Sequence, residues 1–313
     1  MRLAVIVNPF AGRGRRTPRG EARVALAREL ARRAGIEAEI VVTNGPGHAV
    51  ELARTFAESR LPVVAAWGGD GTINEVAGPL LRSETALAII PAGSGDGLAR
   101  GLGVPLDAAD AFAGAISGRR SRADVGFLGD RHFLNIGGIG FDAVVAAAFD
   151  RSGRHGALSY AAAAFSRLRS YRCRDYTITL QGEALAGRRF LIAFANCRQY
   201  GNGLVIAPDA DARDGRLNAV VVDDGPALRQ LWRARRLFVR PLQKAEGVRR
   251  VLVGTATIAG RSLQCHVDGE PFEATGTLAV RVEAGALRIA GSANREPAPI
   301  SVPESRRRAA RTR

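Results

Sequence analysis

The sequence predicts an α/β domain built on a parallel sheet, followed by a second domain that is mainly an antiparallel β-sandwich. Three observations predict it. Up to about residue 118, short apolar runs alternate with helical stretches; two of those runs empty directly into glycine-rich loops; and beyond that point strand-like runs follow one another, parted by Gly and Asp turns. Alternation with helical crossovers builds a parallel sheet, whereas successive short strands separated by turn residues build a sandwich.

In chain order, residues 3–7, 38–42, 63–66 and 86–90 read as strands, separated by helices over 19–34, 47–59 and 72–82. Residues 133–136, 176–180, 190–196, 217–222, 251–258 and 278–282 read as strands of the second domain. One helix over 156–171 interrupts them, with Leu158, Tyr160, Ala161, Ala164, Phe165 and Leu168 at helical spacing. No internal repeat is present.

The length of 313 residues suits two domains, and 46% hydrophobic residues suffice for their cores. No apolar run approaches the ~18 residues of a membrane span, and the N-terminus enters a strand without a signal-peptide layout, so a cytoplasmic chain is expected. Cys173, Cys197 and Cys265 are widely spaced and lack a Cys-x-x-Cys pair, which suits reduced core residues and argues against a zinc site.

The net charge of +15 is concentrated. Residues 226–250 carry Arg229, Arg233, Arg235, Arg236, Arg240, Lys244, Arg249 and Arg250 against Glu246 alone, and residues 295–313 carry six arginines against Glu296 and Glu304. In the first segment the arginines interleave with Leu228, Leu231, Trp232, Leu237, Phe238, Val239 and Leu242, the mixture of a basic amphipathic helix that lies on anionic lipid. Peripheral membrane contact through 228–250 is therefore expected, with a solvated helix packed on its own domain as the alternative. The tail 295–313 reads as disordered. Scattered arginines and 6% aromatic residues give few stacking platforms, which argues against a specific nucleic-acid partner.

Chemistry concentrates in the glycine loops. Gly68-Gly69-Asp70-Gly71-Thr72-Ile73-Asn74-Glu75 follows the apolar run 61–67. A strand that empties into glycines and then a helix brings backbone N–H groups close to an anion. An acidic residue among phosphates calls for a cation between them. The device recurs at Pro91-Ala92-Gly93-Ser94-Gly95-Asp96-Gly97, after the strand at 86–90. Two such loops one crossover apart both open at the carboxyl ends of their strands, where open α/β sheets bind ligands. Lys244 is the only lysine and lies far from either loop, so the Walker-A NTPases and protein kinases, which set a lysine on the transferring phosphates, are excluded.

Together these loops resemble the diacylglycerol kinase and sphingosine kinase family of lipid kinases, whose fold is shared with NAD kinase. The opening Val5-Ile6-Val7-Asn8-Pro9-Phe10-Ala11-Gly12 is similar to the family's first strand and Asn-Pro-x-x-Gly turn, and Cys265-His266-Val267-Asp268-Gly269-Glu270 to its Asp-Gly-Glu motif. The resemblance implies an ATP- and Mg²⁺-dependent kinase acting on a hydroxyl of a membrane-derived lipid: diacylglycerol, a sphingoid base or a ceramide-like lipid. It implies a nucleotide-binding domain over 1–120, completed by a returning strand at 286–290 within 286–294, and a lipid domain over 121–285. A homodimer is compatible with it.

The resemblance also assigns roles. Asp70 orders Mg²⁺ and its waters; Gly68, Gly69, Gly71, Thr72, Gly93 and Ser94 hold phosphates, with Asn8, Asn74 and Glu75 in the same network. Thr43 contacts the nucleotide, with a helix cap as the alternative; His48 is structural; Arg154 lies where sphingosine kinases place a phosphate-contacting arginine. Asp268 is the general base, supported by Glu270. Asp211, Asp214 and the Arg216 carbonyl match a structural Mg²⁺ site of bacterial members, with an Asp-Gly turn without metal as the alternative. One departure stands out: Asp96 occupies a position where many members have Asn, so it either joins the metal network or weakens nucleotide binding. Three other readings stay open: NAD kinase, disfavoured by Pro91-Ala92-Gly93-Ser94 and Asp-Gly-Glu; a catalytically dead lipid or nucleotide sensor; and a basic nucleic-acid-binding protein.

Overall fold

The computed structural model describes residues 2–12, 18–152, 157–201, 203–239 and 245–291. In the first half, β1 (Arg2–Val7), α1 (Pro18–Ala34), β2 (Glu37–Val42), α2 (His48–Glu58), β3 (Val63–Gly68), α3 (Asp70–Leu80) and β4 (Ala86–Pro91) alternate. β1 pairs in parallel with β2 and β3, and β3 with β4. β3 and β4 are buried along their whole length, which is why they read as unbroken apolar runs. Two helices then follow: α4 (Gly97–Gly101) and α5 (Ala108–Ile116). The Asp107 carboxylate starts α5 by accepting from the Ala109 and Asp110 N–H groups.

The second half holds β5 (Arg120–Leu128), β6 (Arg131–Phe133), β7 (Ile136–Gly140), α6 (Phe141–Ser152), α7 (Ala157–Leu168), β8 (Arg174–Leu180), β9 (Glu183–Ala195), β10 (Leu217–Asp223), α8 (Ala227–Val239), β11 (Val248–Val253), β12 (Thr255–Val267) and β13 (Glu270–Ala290). Its strand pairs are antiparallel throughout. Leu128, Phe133, Ile178, Ile192, Phe194 and Leu263 form part of its core. Gly126 and Gly137 leave room for the Phe133 ring, which a Cβ at either position would enter.

β13 joins the halves. Over most of its 21 residues it pairs with β12 and β5, and at its end Ile289 and Ala290 pair in parallel with Leu87 and Ala88 of β4. The expected strands at 278–282 and 286–290 are thus two stretches of one strand. Its register against β5 shifts between Glu283 and Leu287. There the buried Asp124 carboxylate accepts from the Gly285 N–H at 2.7 Å and the Gly215 N–H at 2.6 Å, clamping the irregular stretch to the turn before β10.

Other expectations need correction. Residues 133–136 are not one strand: Phe133 ends β6 and Ile136 begins β7, and between them the N–H groups of Leu134, Asn135 and Ile136 all turn toward one carboxylate. Successive N–H groups of a strand point to opposite sides and cannot do that. Residues 251–258 belong to two strands: at Gly254 the chain leaves β10 and moves to β13. The single helix over 156–171 is α7, and a second, α6, precedes it. Phe141 at the head of α6 stacks on Phe190 at 4.5 Å between ring centroids, with Tyr171 edge-on. The basic segment is not one exposed surface. Arg233 is 3% exposed and donates to the carbonyls of Asp223 and Glu246, while Arg249 pairs with Glu183 and Arg250 with Asp209. Arg154 and the tail 295–313 lie outside the described residues. Among the described residues, no helix is long and apolar enough to cross a membrane.

The Asp124 clamp yields a prediction. Asp124→Asn keeps one oxygen but sets an NH₂ against a glycine N–H, and a buried donor left without an acceptor costs about 1–3 kcal/mol. Denaturant unfolding of the variant is expected to show a loss of that size; an unchanged midpoint would remove the clamp from the account.

Candidate active site

Three loops meet at the carboxyl ends of β1, β3 and β4. Asn8, just past β1, donates from Nδ2 to the Thr72 hydroxyl at 2.8 Å, while its Oδ1 accepts from the Phe10 N–H at 2.8 Å. Arg23 of α1 holds the same loop through the carbonyls of Asn8 and Ala11. Gly69 and Gly93 touch backbone to backbone: a Cβ on Gly93 would lie 3.0 Å from the Gly69 Cα and 2.7 Å from Asp96 Oδ1. Only glycine allows that approach. α3 opens at Asp70, and its Ile73 N–H donates to the Gly69 carbonyl at 3.0 Å. The N–H groups of Asp70, Gly71 and Thr72 precede that first bond and have no acceptor within the helix, the arrangement that receives an anion. Ser94 is exposed in the second loop.

Asp70 turns toward the second loop. Its Oδ2 accepts from the Gly97 N–H at 3.1 Å and its Oδ1 from the Leu98 N–H at 3.2 Å, so it closes the start of α4. Burial pushes its carboxyl up to about 6 against the pull of those two N–H groups, and the negative charges of Asp268 and Asp96 add to the rise. Asp96 has left-handed backbone with φ 45°, and its Oδ1 accepts from the Gly93 N–H at 2.8 Å. Burial raises its carboxyl too. The loop uses Asp96 as an acceptor in a conformation that Asp and Asn both tolerate, so replacing Asn with Asp leaves the loop closed and adds a charge.

Facing these loops is the turn between β12 and β13. Asp268 and Gly269 have φ of 50° and 93°, the left-handed pair of a two-residue hairpin turn in which Asp-Gly is favoured. The Asp268 carboxylate accepts four hydrogen bonds: Oδ2 from Asn74 Nδ2 and the Leu134 N–H, each at 2.7 Å, and Oδ1 from the Asn135 and Ile136 N–H groups, each at 2.9 Å. An ionised carboxylate offers about four lone-pair sites, and here all are taken. A hydroxyl that gave its proton to Asp268 would have to displace one of these donors. Glu270 is the exposed carboxylate of the turn, with Oε1 lying 3.5 Å from where a Gly71 Cβ would sit, at the head of α3.

Behind the turn lies a network that sequence reading missed. His266 Nδ1 accepts from the Gly269 N–H at 3.3 Å, which leaves Nε2 to donate to Asp142 Oδ2 at 3.0 Å. The same oxygen accepts from the Tyr200 hydroxyl at 3.2 Å. His266 and Asp142 are both buried. Gly138, paired with His266 across β7 and β12, leaves the space, since a Cβ there would overlap both side chains. The one available signal was the doublet Gly137-Gly138 inside an apolar run.

The remaining expected residues fall in two places. Thr43 is buried beside β1, its N–H donating to the Val7 carbonyl at 2.9 Å. It does not cap α2, whose N-cap is Gly47. Glu75 Oε1 accepts from the Gly47 N–H at 3.2 Å, and His48 Nδ1 from the Asn44 N–H at 3.1 Å, so both shape the loop that carries Thr43. Asp211, Asp214 and Arg216 lie apart, in the turn before β10, where the Arg216 N–H donates to Asp214 Oδ1 at 2.8 Å. Burial raises the Asp214 carboxyl, and the charges of Asp124 and Asp211 add to the rise. Among the described residues, no three His, Cys, Asp or Glu side chains are grouped to hold a metal directly. A cation at either place would need further ligands: phosphate oxygens and water at the loops, backbone carbonyls at the turn.

Two predictions follow from this geometry. Asp268→Asn turns an acceptor surrounded by donors into a donor, so it is expected to lower the thermal midpoint by several degrees, at about 1–3 kcal/mol for each group left unpaired. A midpoint within one degree of the parent would show that the four bonds contribute nothing. For Asp70 the folded carboxyl titrates near 6, above its unfolded value, so between those values the folded state holds the extra proton. Its contribution to stability is therefore lost as pH rises through that window. Thermal midpoints measured from pH 4 to 7 should show this loss in the parent and not in Asp70→Asn; parallel profiles would refute it.

The site can be set beside known proteins. Residues 2–128 match the diacylglycerol kinase catalytic domain, and residues 136–291 match the YegS C-terminal NAD kinase beta sandwich-like domain. A Chromohalobacter salexigens protein named "Probable lipid kinase YegS-like" is 36% identical over 222 residues, covering 67% of this chain and 69% of its own. A Mycobacterium tuberculosis diacylglycerol kinase is 28% identical over 228 residues, covering 69% of this chain and 72% of its own. In fold, the chain is similar to a crystal structure of a diacylglycerol kinase from Bacillus anthracis, with a TM-score of 0.70 at 22% identity, over 93% of this chain and 96% of that one. Two domain matches in tandem and relatives across most of the length lead to one conclusion: the chain is a lipid kinase and belongs to the diacylglycerol kinase family, in its YegS-like form.

Proposed function

We propose that this kinase transfers the γ-phosphoryl group of ATP to a hydroxyl of a membrane-derived lipid, diacylglycerol first among the candidates, in the cleft between its two halves. The observation that carries the reading is the meeting of three glycine-bearing loops with an exposed carboxylate held opposite them by the β12–β13 turn. Phosphoryl transfer depends mostly on positioning and on neutralising charge. The N–H groups of Asp70, Gly71 and Thr72 receive phosphate oxygens, Asn8 fixes the Thr72 hydroxyl, and Thr43 and Glu75 shape the nucleotide's flank. Mg²⁺ suits the acidic surroundings of Asp70 and Asp96, where it would offset phosphate charge. A second, structural Mg²⁺ suits the turn at Asp211, Asp214 and the Arg216 carbonyl, where burial and then the charges of Asp124 and Asp211 raise the Asp214 carboxyl. The nucleotide half comprises 1–120 with the end of β13, and the lipid half the rest to about 285.

Glu270, rather than Asp268, takes the proton of the acceptor hydroxyl. It is exposed, it lies at the head of α3, and Asp268, two residues before it, fixes the turn that carries it. A positioned carboxylate in this role contributes about 10²–10⁴-fold.

The test uses radiolabelled ATP and Mg²⁺ with mixed micelles of diacylglycerol, a sphingoid base or ceramide, and with NAD in a separate arm. One labelled lipid and no labelled NAD is the expected result; label in NAD alone would move the chain to the NAD kinase reading, and label nowhere to the sensor reading. On the true lipid, Glu270→Gln should lower kcat by about 10²–10⁴-fold with the KM for ATP little changed. A kcat within tenfold of the parent, with chemistry limiting, would pass the proton to another carboxylate.

A further inference from the structure

α8 is built inside out. A soluble helix packs its apolar stripe inward and shows charge to water. Here Gln230 and Arg233 face inward, each 3% exposed, while Leu228, Leu231 and Trp232 face solvent at 78%, 44% and 52%. The spacing of 228, 231 and 232 makes one continuous stripe, and at 3.6 residues per turn it lies opposite 230 and 233.

The inward face is polar for a local reason. Arg233 donates to the carbonyls of Asp223 and Glu246 and to Gln230 Oε1, and Gln230 Nε2 also donates to the Asp223 carbonyl. α8 is thus fastened by hydrogen bonds to the end of β10 and the segment before β11, and the exposed Leu228, Leu231 and Trp232 take no part in fastening it. Beside the outward stripe, Arg229 is exposed and Arg236 lies over the Trp232 ring at 4.6 Å.

We propose that the outward face of α8 is a docking surface for the anionic interface of a lipid bilayer, with Leu228, Leu231 and Trp232 entering the headgroup region and Arg229 and Arg236 meeting lipid phosphates. The choice of lipid rests on the lipid-kinase reading above and on charge. Of the eight cations in 226–250, Arg233 is engaged by backbone carbonyls, and Arg249 and Arg250 are paired with acids. Arg229 is exposed and Arg236 is half-buried over Trp232, while Arg240 and Lys244 lie outside the described residues; in sequence the segment sets its eight cations against Glu246 alone. A second copy of the chain on this face would oppose like charge with like, whereas an anionic membrane attracts each cation by about 1 kcal/mol. Tryptophan beside arginine suits the boundary between headgroup and acyl chain.

Trp232 reports its own environment, because the other tryptophan, Trp67, is buried in β3. The full chain carrying Trp67→Phe is mixed with phosphatidylcholine vesicles, with and without a third of phosphatidylglycerol, and followed by cosedimentation and emission. The expected result is binding to the anionic vesicles only, with a blue shift of Trp232 and protection from aqueous quencher. Leu228→Ser combined with Leu231→Ser should weaken binding at least tenfold while leaving the thermal midpoint within a few degrees, since both side chains are exposed. Arg229→Gln with Arg236→Gln should reduce its salt dependence. Cosedimentation with unchanged Trp232 emission, binding equal in parent and Leu variants, or a dimer that the Leu variants dissolve would each overturn the proposal. Failure here leaves phosphotransfer in micelles intact, and absence of phosphotransfer leaves vesicle binding to be read on its own.

Discussion

The bonds received by the Asp268 carboxylate tie this molecule together. One of its donors, Asn74, comes from α3 in the nucleotide half, and the other three are consecutive backbone N–H groups between β6 and β7 in the sandwich. The residue sits in a hairpin turn that its own left-handed backbone helps to make. A single side chain therefore fixes the pitch of the turn, the bend of the chain after Phe133 and the distance between the two halves. Glu270 inherits its place from that arrangement, and so does His266, whose Nδ1 holds the next N–H of the turn. Charged hydrogen bonds are the stronger kind, and four converging on one group leave it little freedom to do anything else.

Negative charge is the second constraint. Asp70, Asp96 and Asp268 are brought close enough for the latter two to raise the Asp70 carboxyl, on top of its burial. Folding alone gains nothing from such a cluster. The glycine contacts at Gly69, Gly93 and Gly12 draw the loops together and leave backbone N–H groups as the positive counterpart on one side. In the proposed reaction a cation arriving with a polyphosphate would supply the other. Asp70 serves both sides of this balance, closing α4 with its two oxygens while presenting charge to the cleft.

Much of this was legible in the sequence, and the reason is locality. A strand that empties into Gly-Gly-Asp-Gly determines its own turn and the helix after it, so β3, α3 and the second loop could be read without knowing what they pack against. The Asp-Gly pair at 268–269 specified a hairpin in the same way. What could not be read was decided by partners distant in sequence. β13 was read as two separate strands, at 278–282 and 286–290, and what joins them is contributed from far along the chain: the Asp124 carboxylate, some 160 residues away, on the Gly285 N–H, Arg122 on the Gly285 carbonyl and the Arg82 N–H on the Ala286 carbonyl. The strand at 251–258 was divided at Gly254 by a change of neighbour that no residue in the run announces. The bonds that fill the Asp268 carboxylate were hidden as well, because they come from Leu134, Asn135 and Ile136, whose backbone amides carry no signal of side-chain type.

α8 shows the same limit in its sharpest form. Its composition correctly announced arginines mixed with large apolar residues, yet composition treats all eight cations of the segment alike. The structure separates the described ones by what they face. Arg233 is drawn inward because two carbonyls near β10 and β11 need a donor that reaches them both, and a guanidinium supplies several in one plane. Once Arg233 and Gln230 occupy the inward face, helical geometry sends Leu228, Leu231 and Trp232 outward. The exposed apolar stripe is thus a consequence of satisfying buried backbone. An apolar residue at 233 would have left the Glu246 carbonyl without its donor and Asp223 with Gln230 alone.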